Sequence, residues 1–216
     1  MKNTRQTLLL ITLFFALTSP VWAQNPGPYL GVFVGGQLLA PAQAEDSSGT
    51  FNLEYRPAPS GSVVLGWELE PGNILGEGRI ELEYTHRSNR LDEVEFAEGK
   101  IDGAGDLTAE SLLFNTFGVY RSSSLLTPYF GAGIGAARIT AENLTVTGQP
   151  LIDDDAIVLA YQLGAGVDIE LTHSLTLDLG YRLFSSTKAK FTEANGDEVE
   201  TEYLSHSAMV GLRLGF

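Results

Sequence analysis

Apolar and polar residues alternate along eight separate segments of the chain, and nowhere after residue 27 is there the three- and four-residue apolar spacing of an amphipathic helix. The alternating segments contain about 10 to 14 residues each. Alternation puts successive side chains on opposite faces of a β-strand, and strands of this length can cross a bilayer at a tilt. The segments are residues 28–38, 61–70, 76–87, 108–120, 128–139, 157–170, 174–184 and 203–216.

The links between these segments alternate in length. Short links at 71–73, 121–127 and 171–173 alternate with long links at 39–60, 88–107, 140–156 and 185–202. In an antiparallel barrel this order places every short turn at one end and every long loop at the other, and the short turns of outer-membrane barrels face the periplasm. The pattern therefore predicts an all-β, eight-stranded antiparallel up-and-down transmembrane barrel.

One face of the predicted strands is apolar, whereas the other collects charged residues and glycines, with Phe33, Leu113 and Phe117 as exceptions. The division of each strand into an apolar and a polar face also fits a soluble carrier protein that encloses its apolar face. Glycines on the charged face favour an inward charged face, because eight strands leave little internal room. Aromatic residues of the apolar face also fall at two levels, as expected at two membrane interfaces. These are Trp67, Tyr120, Phe130 and Phe216 near the short turns, and Tyr84, Tyr161 and Tyr181 near the long links.

The inward face carries charges of both signs, which we predict to pair across the lumen. An unpaired charge there would cost several kcal/mol, so a self-neutralising network that plugs the barrel is favoured. The alternative is a narrow ion path, which would make the protein a low-conductance porin. The predicted network consists of Arg79, Glu81, Glu83, Asp168, Glu170, Asp178, Arg182 and Arg213.

The N-terminus has the pattern of a secretory signal peptide. Lys2 and Arg5 precede an apolar run at residues 8–17, and the short residues Val21 and Ala23 favour cleavage after residue 23. The run is too short to span a membrane, which takes about 20 residues. We therefore predict a signal peptide at 1–23 and one barrel domain at 24–216. The net charge of -14 becomes -16 when Lys2 and Arg5 are removed.

Five segments in this order resemble the small outer-membrane β-barrel proteins of Gram-negative bacteria, the porin-family or surface-antigen-like barrels. The resemblance implies location in the cell outer membrane and contact with outer-membrane lipid and lipopolysaccharide. The segments are PYLGVFVGGQL (28–38), LLFNTFGVY (112–120), TPYFGAGIGAARI (127–139), AYQLGAGVDIEL (160–171) and LTLDLGYRLF (175–184).

The final segment, MVGLRLGF, resembles the assembly signal of that family. It matches at Gly211, Leu214 and Phe216 and departs from the pattern at Met209, where a polar residue is usual. The resemblance implies that periplasmic chaperones and the barrel-assembly machinery handle this chain.

Composition excludes several other functions. The chain has no cysteine, and its acidic balance argues against binding nucleic acid. His86, His173 and His206 lie on three segments, and His206 and Ser207 must point to opposite faces of one strand. We therefore expect no enzyme activity, metal or cofactor, although a lipid A-modifying enzyme, known among relatives of the family, remains a further alternative.

The long links hold most of the acidic excess, with net charges of -2, -4, -4 and -3 in chain order. Residues 153–155, three consecutive aspartates, lack the ligand spacing of a calcium loop and are interpreted as a solvated run. The predicted function is that of a structural or surface-interaction protein whose acidic extracellular loops contact an unidentified ligand.

Overall fold

A computed structural model describes residues 26–46, 49–69, 77–96, 99–121, 126–192, 196 and 198–216. The predicted signal peptide and the predicted turn at 71–73 lie outside these residues. No helix within the described ranges is long and apolar enough to cross a membrane. The strands are β1 (Pro28–Leu39), β2 (Ala42–Asp46), β3 (Gly49–Tyr55), β4 (Ala58–Glu68), β5 (Gly78–Phe96), β6 (Gly99–Val119), β7 (Leu126–Val146), β8 (Gln149–Glu170), β9 (Leu175–Ser186), β10 (Ala189–Thr192), β11 (Glu198–Thr201) and β12 (Leu204–Gly215).

Eight of these strands form a closed antiparallel ring in the order β1, β4, β5, β6, β7, β8, β9 and β12. The last strand closes the ring on the first, with Tyr29 in register with Gly215 and Leu39 with Ser205. This confirms the predicted eight-stranded antiparallel barrel. We call the lower part of this ring the lower barrel, and it comprises residues 28–39, 58–68, 78–88, 108–119, 126–137, 159–170, 175–186 and 204–215.

The predicted long loops are largely strands, which corrects the sequence interpretation. Strand β5 continues to Phe96 and β6 begins at Gly99. Strands β7 and β8 meet at a tight turn, where Thr147 and Gly148 both have positive φ, at 52° and 76°. The links at 88–107 and 140–156 therefore form two tall hairpins that rise above the lower barrel.

Two small hairpins continue the wall beside these tall ones. Strand β3 pairs with β5, β2 with β3, β11 with β2 and β10 with β11. This row of paired strands ends beside β8. The amide of Thr187 donates to the carbonyl of Leu159 at 2.9 Å, and the amide of Thr192 donates to Asp154 Oδ2 at 2.9 Å. We call this second tier the upper barrel, and it comprises the described residues within 40–57, 89–107, 138–158 and 187–203.

The polarity of both faces of the barrel wall, outer and inner, reverses between the two tiers. In the lower barrel the exposed outer side chains are apolar, such as Val32, Leu65 and Leu163, and the buried ones include arginines and carboxylates. In the upper barrel the outer face carries the charges, as expected for a wall that passes from lipid into water. The interior there is an apolar cluster that continues into the adjoining top of the lower barrel. The cluster comprises Leu39, Leu53, Leu91, Val94, Leu107, Ala109, Leu113, Ala137, Ile139, Ala141, Leu144, Ile152, Val158, Ala160, Phe184, Ala189, Phe191, Val199 and Tyr203.

Candidate functional site in the lower-barrel lumen

Arg79 of β5 lies in the lower-barrel lumen and is fully buried. Its Nε donates to Glu81 Oε1 at 2.8 Å, its Nη1 to Asp168 Oδ2 at 2.7 Å and its Nη2 to Asp178 Oδ2 at 3.1 Å. The three carboxylates come from β5, β8 and β9. A planar guanidinium with donors in several directions suits this position, because one side chain can bridge walls that are distant in sequence.

Arg213 of β12 extends the same network to the short-turn end. Its Nη2 lies 2.5 Å from Asp168 Oδ2, its Nη1 3.0 Å from Glu68 Oε1 and its Nε 3.6 Å from Asp178 Oδ2. Two arginines from separate strands thus share the carboxylates of Asp168 and Asp178. Glu68 also pairs with Arg121 at the rim.

A second polar layer surrounds Glu83 on the side towards the upper barrel. Glu83 Oε1 accepts a hydrogen bond from Thr85 at 2.8 Å, and Oε2 accepts from Asn115 Nδ2 at 3.0 Å and Gln162 Nε2 at 3.1 Å. Gln162 also donates to Asn115 Oδ1 at 3.0 Å. This layer joins β5, β6 and β8 and holds the Glu83 carboxylate with neutral donors instead of an arginine.

The buried charges of the described residues balance in number. Four arginines and four carboxylates are buried, so the interior needs no additional counter-ion in formal terms. They are Arg79, Arg87, Arg182 and Arg213, with Glu81, Glu83, Asp168 and Asp178.

Aromatic side chains also belong to the network, although none is in the set predicted from the sequence. The Tyr29 hydroxyl donates to Glu81 Oε1 at 2.6 Å, and the Tyr129 hydroxyl donates to Asp178 Oδ1 at 2.6 Å. The guanidinium carbon of Arg79 lies 4.0 Å from the centroid of the Tyr129 ring and 5.0 Å from that of Phe117. The available signal was parity, since Tyr29 and Tyr129 fall on the glycine-rich face of their strands.

The inward glycines make room for these inward rings. Gly66 is in register with Tyr29, and a Cβ at Gly66 would overlap the Tyr29 ring. A Cβ at Gly166 or Gly180 would lie 2.5 or 2.6 Å from the Tyr129 hydroxyl oxygen. Each of these three glycines therefore leaves the space that a particular tyrosine from a nearby strand occupies.

The structure brings together Arg79, Glu81, Asp168, Asp178 and Arg213 of the predicted set. Arg182 joins them indirectly, since its Nη1 donates to the Tyr129 hydroxyl at 3.2 Å. Glu170 lies elsewhere, which corrects its assignment to the lumen. It is the last residue of β8, its side chain is 44% exposed, and its carboxylate is 3.8 Å from Arg121. The strand has reached the rim at that residue, so inward parity no longer implies burial.

The residues of the predicted assembly signal lie on the strand that closes the ring, or directly after it. Gly211 packs beneath Phe33 of β1, and a Cβ there would overlap that ring. Leu214 is in register with Leu30 of β1 and Leu175 of β9. Phe216 follows the strand and is 69% exposed, as a lipid-facing residue at a membrane interface should be.

The three histidines occupy separate places outside the lumen. His206 is exposed and its Nδ1 lies 2.6 Å from the Tyr181 hydroxyl, while Ser207 is buried, so the two neighbours face opposite sides as predicted. His173 lies in the exposed turn between β8 and β9. His86 lies on the outer wall, with its Nδ1 3.7 Å from Glu110 Oε1.

Charge pairs cover the outside of the upper barrel. Arg138 donates from Nε and Nη2 to the two carboxylate oxygens of Asp155 at 3.0 and 3.1 Å. These bonds, together with the attraction of the guanidinium, lower the pKa of Asp155 below its usual value of 3.8. Asp154 accepts hydrogen bonds from the amides of Asp155 and Thr192, so two of the three consecutive aspartates are engaged with other groups. No cluster of potential metal ligands occurs among the residues that the structure describes.

An eight-stranded antiparallel ring with a lipid-compatible outer wall, two exposed aromatic levels and a charged interior defines the class of transmembrane β-barrels. Within that class, the chain belongs to the outer membrane protein beta-barrel domain family, whose model matches residues 7–215. It is a protein of the cell outer membrane.

Solved structures of small outer-membrane proteins share the fold. Neisserial surface protein A is 18% identical and has a TM-score of 0.55, over 88% of this chain and 97% of that one. OprG from Pseudomonas aeruginosa is 12% identical, with a TM-score of 0.56 over 91% of this chain and 100% of the other. The outer-membrane protein AlkL is 14% identical, with a TM-score of 0.51 over 92% and 95%. No curated protein matches the chain in sequence.

Proposed function

We propose that this protein is a structural and surface-interaction barrel with a plugged lumen and an acidic extracellular tier. The observation that carries the proposal is Arg79, fully buried and bonded to carboxylates of three strands. A side chain that bridges the lumen in this way occupies the path an ion would follow. No catalysis is assigned to the lumen, because its carboxylates are already engaged by arginine, tyrosine and amide donors.

The apolar cluster of the upper barrel supports the same proposal. An ion that left the charged network would next meet buried side chains such as Leu91, Leu107 and Leu144. Transfer of an ion into such surroundings costs far more than thermal energy. Charged and apolar barriers in series therefore favour a closed barrel over the low-conductance porin.

The upper barrel supplies the proposed interaction surface. Its outer face carries charge pairs such as Arg138 with Asp155, Arg56 with Asp92 and Lys190 with Glu200. The four predicted links that contain this surface have an acidic excess in the sequence. Such a surface favours an extracellular partner with positive potential, because complementary charge accelerates encounter.

Recordings from single barrels in planar bilayers test the plug. We expect no steady open-channel current from the wild-type barrel at neutral pH, with a wide-bore outer-membrane porin in the same bilayer as the positive control. A reproducible ohmic step from the wild type would instead establish the porin and reject the plugged scaffold.

A further inference from the structure

Arg87 of β5 is a buried arginine near the top of the lower barrel, and the proposed plug does not use it. Its Nη1 donates to Ser111 Oγ at 2.8 Å. Among the described residues, no carboxylate forms an ion pair with Arg87, and its buried Nε has no hydrogen-bond partner. A guanidinium stays charged in a protein, and a buried charge without compensation is costly. This position therefore favours a negatively charged partner.

The equal numbers of buried charges do not supply that partner. Of the four buried carboxylates in the described part of the chain, three belong to the ion-pair network and Glu83 is the fourth. The Glu83 oxygens accept hydrogen bonds from Thr85 and from two side-chain amides. Thr85 lies between Glu83 and Arg87 on the same face of β5. The carboxylate and the guanidinium are thus balanced in number but not in contact.

Two serine hydroxyls without partners lie on the wall that Arg87 reaches. The Arg87 guanidinium carbon is 4.1 Å from the centroid of the Phe184 ring, so the side chain crosses the lumen from β5 to β9. Ser205 of β12 is in register with Phe184, which places their Cβ atoms about 5 Å apart. The hydroxyls of Ser205 and Ser207 are buried, and neither has a hydrogen-bond partner within the described ranges. Both are therefore available as donors on this wall.

The strand beside Arg87 offers a further donor. Ser60 of β4 is in register with Arg87. Its hydroxyl donates to the Met209 sulfur at 3.4 Å, and a thioether is a weak acceptor. A negatively charged acceptor would form a stronger hydrogen bond with the same hydroxyl. We call the group formed by Ser60, Arg87, Ser205 and Ser207 the Arg87 site.

The unpartnered buried atoms differ in chemistry along the lumen. In the ion-pair network, the unpartnered oxygens Glu81 Oε2 and Asp168 Oδ1 are acceptors. In the Arg87 site, the unpartnered atoms are the Arg87 Nε and two serine hydroxyls, which can all donate. Gln37 Oε1, an unpartnered acceptor in register with Ser207, lies at the edge of this site. Surplus donors beside a positive charge select a ligand that accepts hydrogen bonds and carries negative charge.

The surroundings of the Arg87 site favour a small ligand. Above it, Tyr203 packs edge-on against Phe184, with ring centroids 5.7 Å apart. The Tyr203 hydroxyl donates to Asn89 Oδ1 at 3.3 Å, and Gln37 Nε2 donates to the same oxygen at 2.5 Å. Below it lies the hydrogen-bonded layer of Glu83. A ligand between these layers is enclosed when the barrel folds, and a monatomic ion meets that requirement.

We propose that the Arg87 site binds a small monovalent anion of the halide class, such as chloride. The guanidinium supplies the compensating charge, and the hydroxyls of Ser205 and Ser207 donate hydrogen bonds. An anion in contact with the Arg87 Nε lies nearer to Arg87 than to Glu83, so attraction exceeds repulsion. The bound anion joins β5 to β12 between the ion-pair network and the apolar cluster.

Bromide is the probe, because its anomalous X-ray scattering locates it. The full-length chain is refolded and crystallised in sodium bromide, and we expect an anomalous peak within hydrogen-bond distance of the Arg87 Nε. Arg87→Gln should remove the peak. The matched control is Arg90→Gln, on the exposed face of the same strand, which should keep it. A wild-type barrel without a peak at Arg87, or an equal peak in Arg87→Gln, overturns the proposal.

Serine variants keep the test decisive if Arg87→Gln fails to fold. Bromide replaces gluconate at constant ionic strength during refolding, and the bromide concentration that gives half occupancy is measured. Ser205→Ala and Ser207→Ala should each raise that concentration about tenfold, the scale of a hydrogen bond to a charged group. Unchanged values in both variants would reject the assigned coordination.

Retention of bromide separates this site from the proposed plug. After gel filtration in bromide-free buffer, a closed wild-type barrel should keep an equimolar amount of bromide, measured by elemental mass spectrometry. Bromide that appears in the crystals but is lost on filtration would support the Arg87 site and count against the closed lumen. Bromide missing from both would reject the site, while the conductance recordings would still decide the plug.

Discussion

At the scale of single residues, Arg79 pairs with three buried carboxylates in the lower barrel. Removing one partner of a buried ion pair typically costs about 3 to 5 kcal/mol, because the remaining charges lose their compensation. We expect Arg79→Leu to reduce the free energy of unfolding by about that amount, since Glu81, Asp168 and Asp178 would remain buried. Urea unfolding in lipid vesicles, followed by heat-modifiable gel migration, measures this change.

Arg90→Leu is the matched control, because Arg90 has a side chain 68% exposed and pairs with Asp106 on the outer face. Its effect should stay within about 0.5 kcal/mol, as for other surface substitutions. Equal stability of the two variants would mean that Arg79 does not hold the network together.

Also at the residue scale, the contact of Arg138 with Asp155 sets a pH dependence for the upper barrel. The folded-state pKa of Asp155 is lowered, first by the hydrogen bonds from Arg138. Its contribution to stability is therefore complete above its usual value of 3.8 and is lost as pH falls through the lower folded pKa. A carbon-detected NMR titration should find Asp155 titrating below 3.8, and Arg138→Gln should move it upward. An unchanged titration in Arg138→Gln would exclude the pairing in solution.

At the scale of strands, the sequence predicted the lower barrel far better than the upper. The predicted segment 28–38 differs from β1 by one residue, whereas 76–87 covers barely half of β5. In the lower barrel, apolar residues of one parity face lipid, so the period-two pattern has a constant phase. Above Asn89 the inward positions become apolar, as at Leu91 and Val94, and the outward ones become charged. A search for apolar outward residues therefore ends where the strand leaves the membrane.

A β-bulge also makes the full length of β5 harder to predict from the sequence. The register of β5 with β6 shifts between Arg90 and Glu93, so buried residues change from odd to even numbers. Continuous alternation breaks there even though the strand does not. The charge network of the lumen was also predicted only in part. The alternation of the strands predicts that oppositely charged residues face one lumen. The particular partners of Arg79 depend on the register across β5, β8 and β9, which no local sequence pattern contains.

At the scale of the whole molecule, one set of strands is stabilised in two solvents. The lower barrel exposes apolar side chains to lipid and encloses ion pairs, whereas the upper barrel encloses an apolar cluster in water. Lipid gives little hydrophobic gain to the upper barrel, so its stability must come from its own core. The two tiers share strands β5 to β8, but their stability has different sources. A substitution that destabilises the core of the upper barrel should therefore leave the lower barrel folded.

Phe191→Ala tests this separation, because Phe191 is buried in the upper cluster on the short strand β10. Truncation of a buried phenylalanine costs about 3 to 5 kcal/mol. The expected result is faster cleavage of the upper barrel by an added protease, while the lower barrel keeps its heat-modifiable migration. Phe130→Ala is the matched control: Phe130 is 75% exposed on the lipid-facing wall, and its loss should leave upper-barrel cleavage unchanged. Loss of heat-modifiable migration in Phe191→Ala would instead show that both tiers unfold as one cooperative unit.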